Sequence, residues 1–196
     1  ADSFMHMYTN KGEADALIIG NALNGKYGNT KSTVKELATG DFIVDPNLKI
    51  QEAINAAAAG KTVILKAGTF VENFTINKWV NLQGDDNVTT IIDGQIDVTA
   101  GGQDNNNRLV VRDLGVQINN NNGIGFEITP NSHVGYFTLQ DVKVTGIGNL
   151  VGESAGVWVR YDASLTDAVI NDCYFGGMSY GLYTQKKNGG SGVVNN

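Results

Sequence analysis

The chain has 196 residues, of which 41% are hydrophobic and 17% charged, and its net charge is −6. The apolar content excludes a disordered chain, and 25 glycines without a three-residue period exclude collagen. The acidic balance argues against a nucleic-acid partner, and no apolar run approaches the ~20 residues of a membrane span. Because the sequence begins with Ala1 rather than methionine, we expect a secreted or cell-surface protein whose signal peptide has been removed.

The first two segments are predicted to close one end of the fold. Residues 1–44 form an N-terminal extension expected to pack on the coil or on a neighbouring subunit, with a strand at Ala16-Leu17-Ile18-Ile19. Residues 45–60 contain a predicted helix from Ile50 to Ala58, ended by Gly60. This helix precedes the first rung, so we expect it to cap the N-terminal end of the domain at 61–196.

An imperfect repeat organises residues 61–196. Short strands with apolar residues two apart are followed by a polar residue, an aspartate, two more apolar positions, and a glycine that opens the next strand. Equivalent positions recur every 25 to 33 residues. This pattern predicts a parallel β-solenoid in which stacked rungs bury continuous apolar columns. The predicted columns are Leu114, Val142 and Cys173, and Ile124, Val157 and Leu182.

Residues 50–93 carry a family resemblance. The segments are Ile50-Gln-Glu-Ala-Ile-Asn-Ala-Ala, Gly60-Lys-Thr-Val-Ile-Leu, Ala67-Gly-Thr-Phe-Val-Glu72, Phe74-Thr-Ile, Val80-Asn-Leu-Gln-Gly84 and Thr90-Ile-Ile-Asp93. Together they resemble the start of the pectin-lyase-like right-handed parallel β-helix proteins. The resemblance implies an all-β, right-handed parallel β-helix of about five rungs with an N-terminal capping α-helix and an uncapped C-terminal end.

Within that family, Gly68-Thr-Phe-Val-Glu72 is similar to a pectinesterase motif. Those enzymes use two aspartates and an arginine, and the matching aspartate positions fall at Tyr180 and near Asn149. The resemblance therefore carries over neither carboxylate, and no catalytic residue is assigned. Lyase chemistry would need a base from Arg160, Tyr161 or Lys186.

Three aspartates occupy equivalent positions in successive rungs. Stacked Asp113, Asp141 and Asp172 would lie ~4.8 Å apart, the spacing of neighbouring strands. One interpretation is a calcium site, since calcium accepts carboxylate oxygens. The favoured alternative is a corner ladder in which each aspartate makes an Asx turn, so no cofactor is firmly predicted.

Two aromatic residues are predicted at matching outward positions, Trp158 and Tyr183, with Gly125 below them. Glu127 and Arg160 follow on the same face. These four residues could contact carbohydrate or a subunit, and the rings could also pack under a loop such as residues 146–154. Cys173 is predicted to be a buried small hydrophobe, and the isolated His6 and His133 receive no role. Two glycosylation triplets occur, at Asn73 and Asn87.

These observations favour a noncatalytic extracellular structural protein that self-assembles as a sheath, filament or surface-layer subunit. The expected partners are copies of itself in an open heterologous assembly, and its contacts involve the Ala16 to Ile19 strand and a final rung begun by Val193 and Val194. The alternatives are a polysaccharide-active lyase or esterase, or a fragment of one, and a carbohydrate-binding adhesin module. Further rungs of a longer protein could also cap the C-terminal end.

Overall fold

The computed structural model describes residues 15–17, 35–148 and 150–185. This part of the chain forms a β-solenoid of about four turns built from parallel stacked strands, with one short helix. The predicted all-β parallel β-helix is therefore confirmed, with about four turns in the described residues where about five rungs were predicted. None of the helices in the described ranges is long and apolar enough to cross a membrane.

Each turn contributes strands to three faces. The first face contains β3 (Phe42–Val44), β4 (Thr62–Leu65), β7 (Asn81–Gln83), the first halves of β10 (Leu109–Ile118) and β13 (Phe137–Gly146), and β16 (Val169–Asn171). The second face contains β5 (Gly68–Val71), β8 (Thr90–Asp93), the second halves of β10 and β13, and β17 (Tyr174–Gly176). The third face contains β6 (Phe74–Ile76), β9 (Ile96–Val98), β11 (Ile124–Ile128), β14 (Ala155–Val159) and β18 (Tyr180–Thr184). A separate parallel pair joins β12 (His133–Gly135) to β15 (Ser164–Thr166).

The core is a set of stacked apolar columns inside these faces. On the first face, Val63 pairs with Leu82, Leu82 with Val111, and Val111 with Leu139. Each of these four side chains is at most 1% exposed. One rung cannot bury its own inner face, so stacking supplies most of the burial that stabilises the fold.

The predicted column of Leu114 and Val142 is confirmed by the register, and Cys173 packs against the same core. The column predicted to begin at Ile124 is wrong. Val157 pairs with Phe126 and with Leu182, whereas Ile124 pairs with Ala155. A shift of two residues keeps every side chain on the same face of an ideal strand, so alternation alone does not distinguish these registers.

Glycines in β11 and β14 interrupt the alternation of inward and outward side chains on the third face. A Cβ on Gly125 would lie 2.8 Å from Val144 Cγ1, and one on Gly156 would lie 2.3 Å from Phe175 Cδ1. Both glycine positions therefore face the interior, where a side chain has no space. Ile124 instead joins Ala155 and Trp158 in a small cluster separate from the main core.

The corner between the first and second faces uses a left-handed backbone conformation. Asp113, Asp141 and Asp172 have φ values of 56°, 52° and 51°. Aspartate adopts this region more readily than most residues because its short polar side chain can hydrogen-bond locally. The three aspartates are therefore corner residues, as the sequence pattern favoured.

The N-terminal end of the solenoid is covered by α1 (Ile50–Ala56), which buries Ile50, Ala53 and Ile54. Glu72 accepts hydrogen bonds from the backbone N–H groups of Ile50 (2.8 Å) and Gln51 (3.3 Å) at the start of this helix. At its other end, Lys78 Nζ donates to the carbonyls of Asn55 (2.8 Å) and Ala57 (2.6 Å). The rung below thus supplies both caps of the helix.

Gln51 also blocks the free edge of the third face. Its side-chain amide accepts from Thr75 N (2.8 Å) and donates to Thr75 O (3.2 Å), as a neighbouring strand would. The first face ends differently, because β2 (Lys35–Leu37) pairs antiparallel with β3, and β1 (Asp15–Leu17) pairs antiparallel with β2. Of the predicted extension at residues 1–44, the structure describes residues 15–17 and 35–44, which contain β1, β2 and β3.

Candidate functional site

The outer surface of the third face carries a group of polar and aromatic side chains that we call the third-face cluster: Gln95, Asp97, Glu127, Trp158 and Arg160. The register places Asp97 beside Glu127 and Glu127 beside Trp158, on strands β9, β11 and β14. Ile96 and Val98, on either side of Asp97, are fully buried in the core. Alternation along the strand therefore turns Asp97 outward.

One amide links the two carboxylates of the third-face cluster. Gln95 Nε2 donates to Asp97 Oδ1 and to Glu127 Oε2, each at 2.7 Å. Arg160 Nε donates to Glu127 Oε1 at 2.5 Å, and Glu127 is only 8% exposed. A buried carboxylate needs such partners because desolvation disfavours its charge.

The protonation of Asp97 is shifted by these surroundings. Burial raises its pKa above the usual value, the hydrogen bond from Gln95 opposes that shift, and the charge of Glu127 adds to it while Arg160 opposes it. Two carboxylates with different environments can serve as a proton donor and an acceptor. The arrangement is therefore chemically capable of acid–base work, provided that a substrate reaches it.

Trp158 is buried, which favours packing, one of the alternatives considered for this ring, over an exposed aromatic platform. It is 2% exposed and packs with Ile124 and Ala155. The Arg160 guanidinium carbon lies 3.9 Å from the centroid of its ring, and the Tyr183 ring meets it edge-on with centroids 4.9 Å apart. Arg160 covers one face of the indole and the residue is almost fully buried, so a sugar ring cannot stack on it in the described arrangement.

The predicted positions around Trp158 also need a correction. The register aligns Trp158 with Glu127 and with Tyr183, so Glu127 rather than Gly125 lies below Trp158. The predicted proximity of Glu127 and Arg160 is nevertheless present, as an ion pair across adjacent rungs. Trp158 Nε1 is buried and has no hydrogen-bond partner among the described residues.

The corner aspartates are engaged by neighbouring amide and guanidinium groups. Gln140 Nε2 donates to Asp141 (2.8 Å) and to Asp172 (3.1 Å), and Asn171 Nδ2 donates to Asp172 (2.8 Å). Asp113 lies 3.6 Å from Arg112 Nε. Within the described ranges, no group of three or more His, Cys, Asp or Glu side chains is arranged to hold a metal ion.

A second notable surface is the last described level of the solenoid, formed by β16, β17 and β18, which we call the terminal level. It exposes the large apolar side chains of Val169 at 42%, Tyr174 at 57%, Tyr180 at 41% and Leu182 at 42%. Tyr180 stacks on Tyr183 with ring centroids 4.6 Å apart. Tyr180, the position matched to a pectinesterase aspartate, is thus part of an aromatic surface.

Of the residues predicted for assembly, Ala16 and Leu17 lie in β1. The others, Ile18, Ile19, Val193 and Val194, lie outside the described residues, as do His6, Asn149 and Lys186. His133 is exposed and its Nδ1 lies 2.9 Å from Ser164 Oγ. Cys173 is partly buried rather than fully buried as predicted, and this burial raises the pKa of its thiol.

Gln95 and Asp97 were missed by sequence reasoning. The signal that could have found them is the repeat length, because Asp97, Glu127 and Trp158 are 30 and 31 residues apart, within the spacing of the other rungs. The repeat was not extended to this earlier turn because its short strand Ile96–Val98 lacks the aspartate corner that marks the later rungs.

No protein-family model, curated protein or solved structure matches this chain with significance.

Proposed function

We propose that this chain is a noncatalytic extracellular structural protein that self-assembles through the edges of its β-helix. One observation carries the proposal. The inward column of Phe126, Val157 and Leu182 is 0% exposed at its first two positions and 42% exposed at the third. Leu182 thus has the position of a core residue, but no described rung covers it as rungs cover its column partners.

The backbone of the terminal level supports the same proposal. β16 and β17 each pair with β13, and β18 pairs with β14, so each has one strand neighbour among the described residues. Unpaired backbone groups beside exposed apolar side chains form a template for another strand. Covering this level in an assembly would bury Val169 and Leu182 and satisfy the open backbone groups together.

The opposite end favours a particular kind of assembly. Gln51 closes the third face there, so a neighbouring solenoid cannot simply stack on all three faces. Among the described residues, the strand order of the first face runs from β1 at one end to β16 at the other, so each of these strands has one described strand neighbour. Addition of the β1 edge of one copy to the β16 edge of the next would be heterologous and would not close, which generates filaments or tubes.

The test measures the size and shape of the assembly. Sedimentation velocity over a range of concentrations and electron microscopy should detect filaments, tubes or sheets of the unaltered chain. Leu182→Lys should shift the population to monomers, because it places a charge at the centre of the proposed contact. Deletion of residues 1–20, which removes β1, should have the same effect while the β-rich circular dichroism spectrum is retained.

Val71→Lys is the matched control, since Val71 is 70% exposed on the second face, away from the terminal level. It should assemble like the unaltered chain. A chain that stays monomeric at high concentration, or an assembly that tolerates Leu182→Lys, would contradict the proposal.

A polysaccharide-active enzyme is the second candidate, favoured by the paired carboxylates of the third-face cluster. The raised pKa of Asp97 beside the ion-paired Glu127 is the pattern of a proton donor next to a charged partner. Membership of the pectin-lyase-like superfamily is likewise a proposal, supported by the segments between residues 50 and 93. Turnover of pectin, alginate or another uronate, abolished by Asp97→Asn and by Glu127→Gln, would favour this candidate over the structural one.

A further inference from the structure

Asn87 lies in a loop between the first and second faces, at the β7–β8 level. Residues 87–89 form a turn, and Asp86 Oδ1 accepts a hydrogen bond from Val88 N at 2.7 Å. Val88 is 65% exposed, Thr89 is exposed, and the Asn87 side chain makes no hydrogen bond with any described residue. Asn87 itself is partly buried, whereas Val88 and Thr89 are exposed, so the turn presents the last two residues of the triplet on the surface of the folded chain.

In the other triplet with this pattern, Asn73-Phe74-Thr75, the asparagine is exposed, but the two residues that follow it are held within the fold. Asn73 Oδ1 accepts a hydrogen bond from Gln95 N at 2.7 Å, and the middle residue Phe74 is a core residue 4% exposed. Both backbone groups of Thr75 are paired with the side chain of Gln51. An enzyme could bind this triplet only if β6 were pulled out of the solenoid.

We propose that Asn87 is an N-glycosylation site of this protein and that folding withholds Asn73 from the same modification. Asparagine followed two residues later by threonine is the acceptor sequence for glycan transfer in secreted proteins. The proposal goes beyond the assembly function and shares with it only the requirement that the chain be exported.

The donor would be an oligosaccharide carried on a polyprenyl diphosphate. The Asn87 side-chain nitrogen attacks the anomeric carbon of the first sugar, and a C–N bond forms as the bond from that carbon to the diphosphate oxygen breaks. The nitrogen loses one proton, and polyprenyl diphosphate leaves. The product retains one N–H on the asparagine, and no oxidant or reductant is needed.

The position of Asn87 is compatible with the proposed assembly. The β7–β8 level lies between α1 at one end and the terminal level at the other in the order of the sheets. A glycan there would project from the side of the solenoid. It would thus add a hydrophilic surface without covering the β1 or β16 edge.

The first experiment is secretion of the full chain from a eukaryotic host, followed by intact mass measurement and peptide mapping before and after glycosidase treatment. We expect a glycan on Asn87. Thr89→Ala should remove it although Asn87 is retained, and the matched variant Thr75→Ala should leave the Asn87 glycan unchanged. A chain without a glycan at Asn87 would overturn the proposal.

The second experiment tests the role of folding. Three samples are incubated separately with an oligosaccharyltransferase and a lipid-linked glycan. They are the folded, unglycosylated chain, the chain unfolded in urea and then diluted, and a synthetic peptide of residues 84–92. The folded chain should be modified at Asn87 alone, whereas the unfolded chain should also be modified at Asn73. Modification of Asn73 in the folded chain, or failure at Asn87 when the peptide is modified, would contradict the inference. Sedimentation of the same samples reports assembly separately, so the two proposals fail independently.

Discussion

Asp97 lies half-buried beside Glu127, and burial raises the pKa of its carboxyl group. A group whose pKa is raised on folding contributes stability below its unfolded pKa, and that contribution is lost as the pH rises through its folded pKa. At pH values above its folded pKa, Asp97 therefore lowers the stability of the fold relative to a neutral side chain.

We therefore expect Asp97→Asn to raise the free energy of unfolding at pH 7, because the amide keeps the acceptor for Gln95 and carries no charge. The advantage should disappear below about pH 4, where an unfolded aspartate is itself protonated. Urea denaturation between pH 3 and pH 8 measures the difference. Glu153→Gln, an exposed carboxylate in a loop, serves as the control and should change stability little at any pH.

The corner aspartates lead to a prediction about calcium. Their carboxylates already accept hydrogen bonds from Gln140 and Asn171 or lie beside Arg112, and a calcium ion would have to displace these partners. We expect millimolar calcium to leave the melting temperature unchanged, measured against the same concentration of magnesium. A calcium-specific rise in melting temperature would show that the corner ladder reorganises into a cation site.

At the scale of elements, α1 depends on groups from the next rung. Lys49, its N-cap residue, makes no side-chain capping hydrogen bond, and Glu72 supplies that acceptor from the corner between β5 and β6. The motif that resembled a pectinesterase sequence thus has a structural role in this chain. Its glutamate joins the capping helix to the first full rung.

Glu72→Ala should lower the free energy of unfolding by about 0.5–2 kcal/mol, the usual cost of removing a helix cap. Glu72→Gln should cost less, because it keeps an acceptor and loses only the charge near the helix N-terminus. Chemical denaturation compares the two variants, and hydrogen exchange of the α1 amides locates the effect. Equal stability of Glu72→Ala and the unaltered chain would show that α1 is held by its buried face alone.

At the scale of the whole molecule, stability should depend on depth within the stack. Phe126 and Leu182 occupy the same column, but Phe126 is fully buried and Leu182 is 42% exposed. Phe126→Ala should cost about 3–5 kcal/mol because it leaves a cavity, whereas Leu182→Ala should cost about 1 kcal/mol or less in the monomer.

Denaturation at low protein concentration tests this gradient, since assembly would add its own stabilisation to the terminal level. At high concentration the cost of Leu182→Ala should increase if copies cover this level. A cost for Leu182→Ala that is large at low concentration and independent of concentration would mean that this residue is already buried within one chain.

The sequence by itself determined the class of the fold. Apolar residues two apart and a repeat of 25 to 33 residues require stacked strands, because no single rung can bury its inner face. Local sequence patterns also predict three features that the folded chain contains. They are the helix that begins at Ile50, the corner aspartates, and the column of Leu114 and Val142. These features depend on contacts between equivalent positions of successive rungs, and a sequence repeat identifies those positions.

Only the tertiary structure decided the register of the third face and the environment of its outer side chains. Two registers that differ by two residues bury the same side of a strand, so alternation does not choose between them. The structure pairs Phe126 rather than Ile124 with Val157. At Gly125 and Gly156, Val144 and Phe175 leave no space for a side chain. The same register brings Asp97 to Glu127 and buries Trp158 under Arg160. Burial and charge at a site are set by neighbours from distant rungs, which local sequence patterns do not specify.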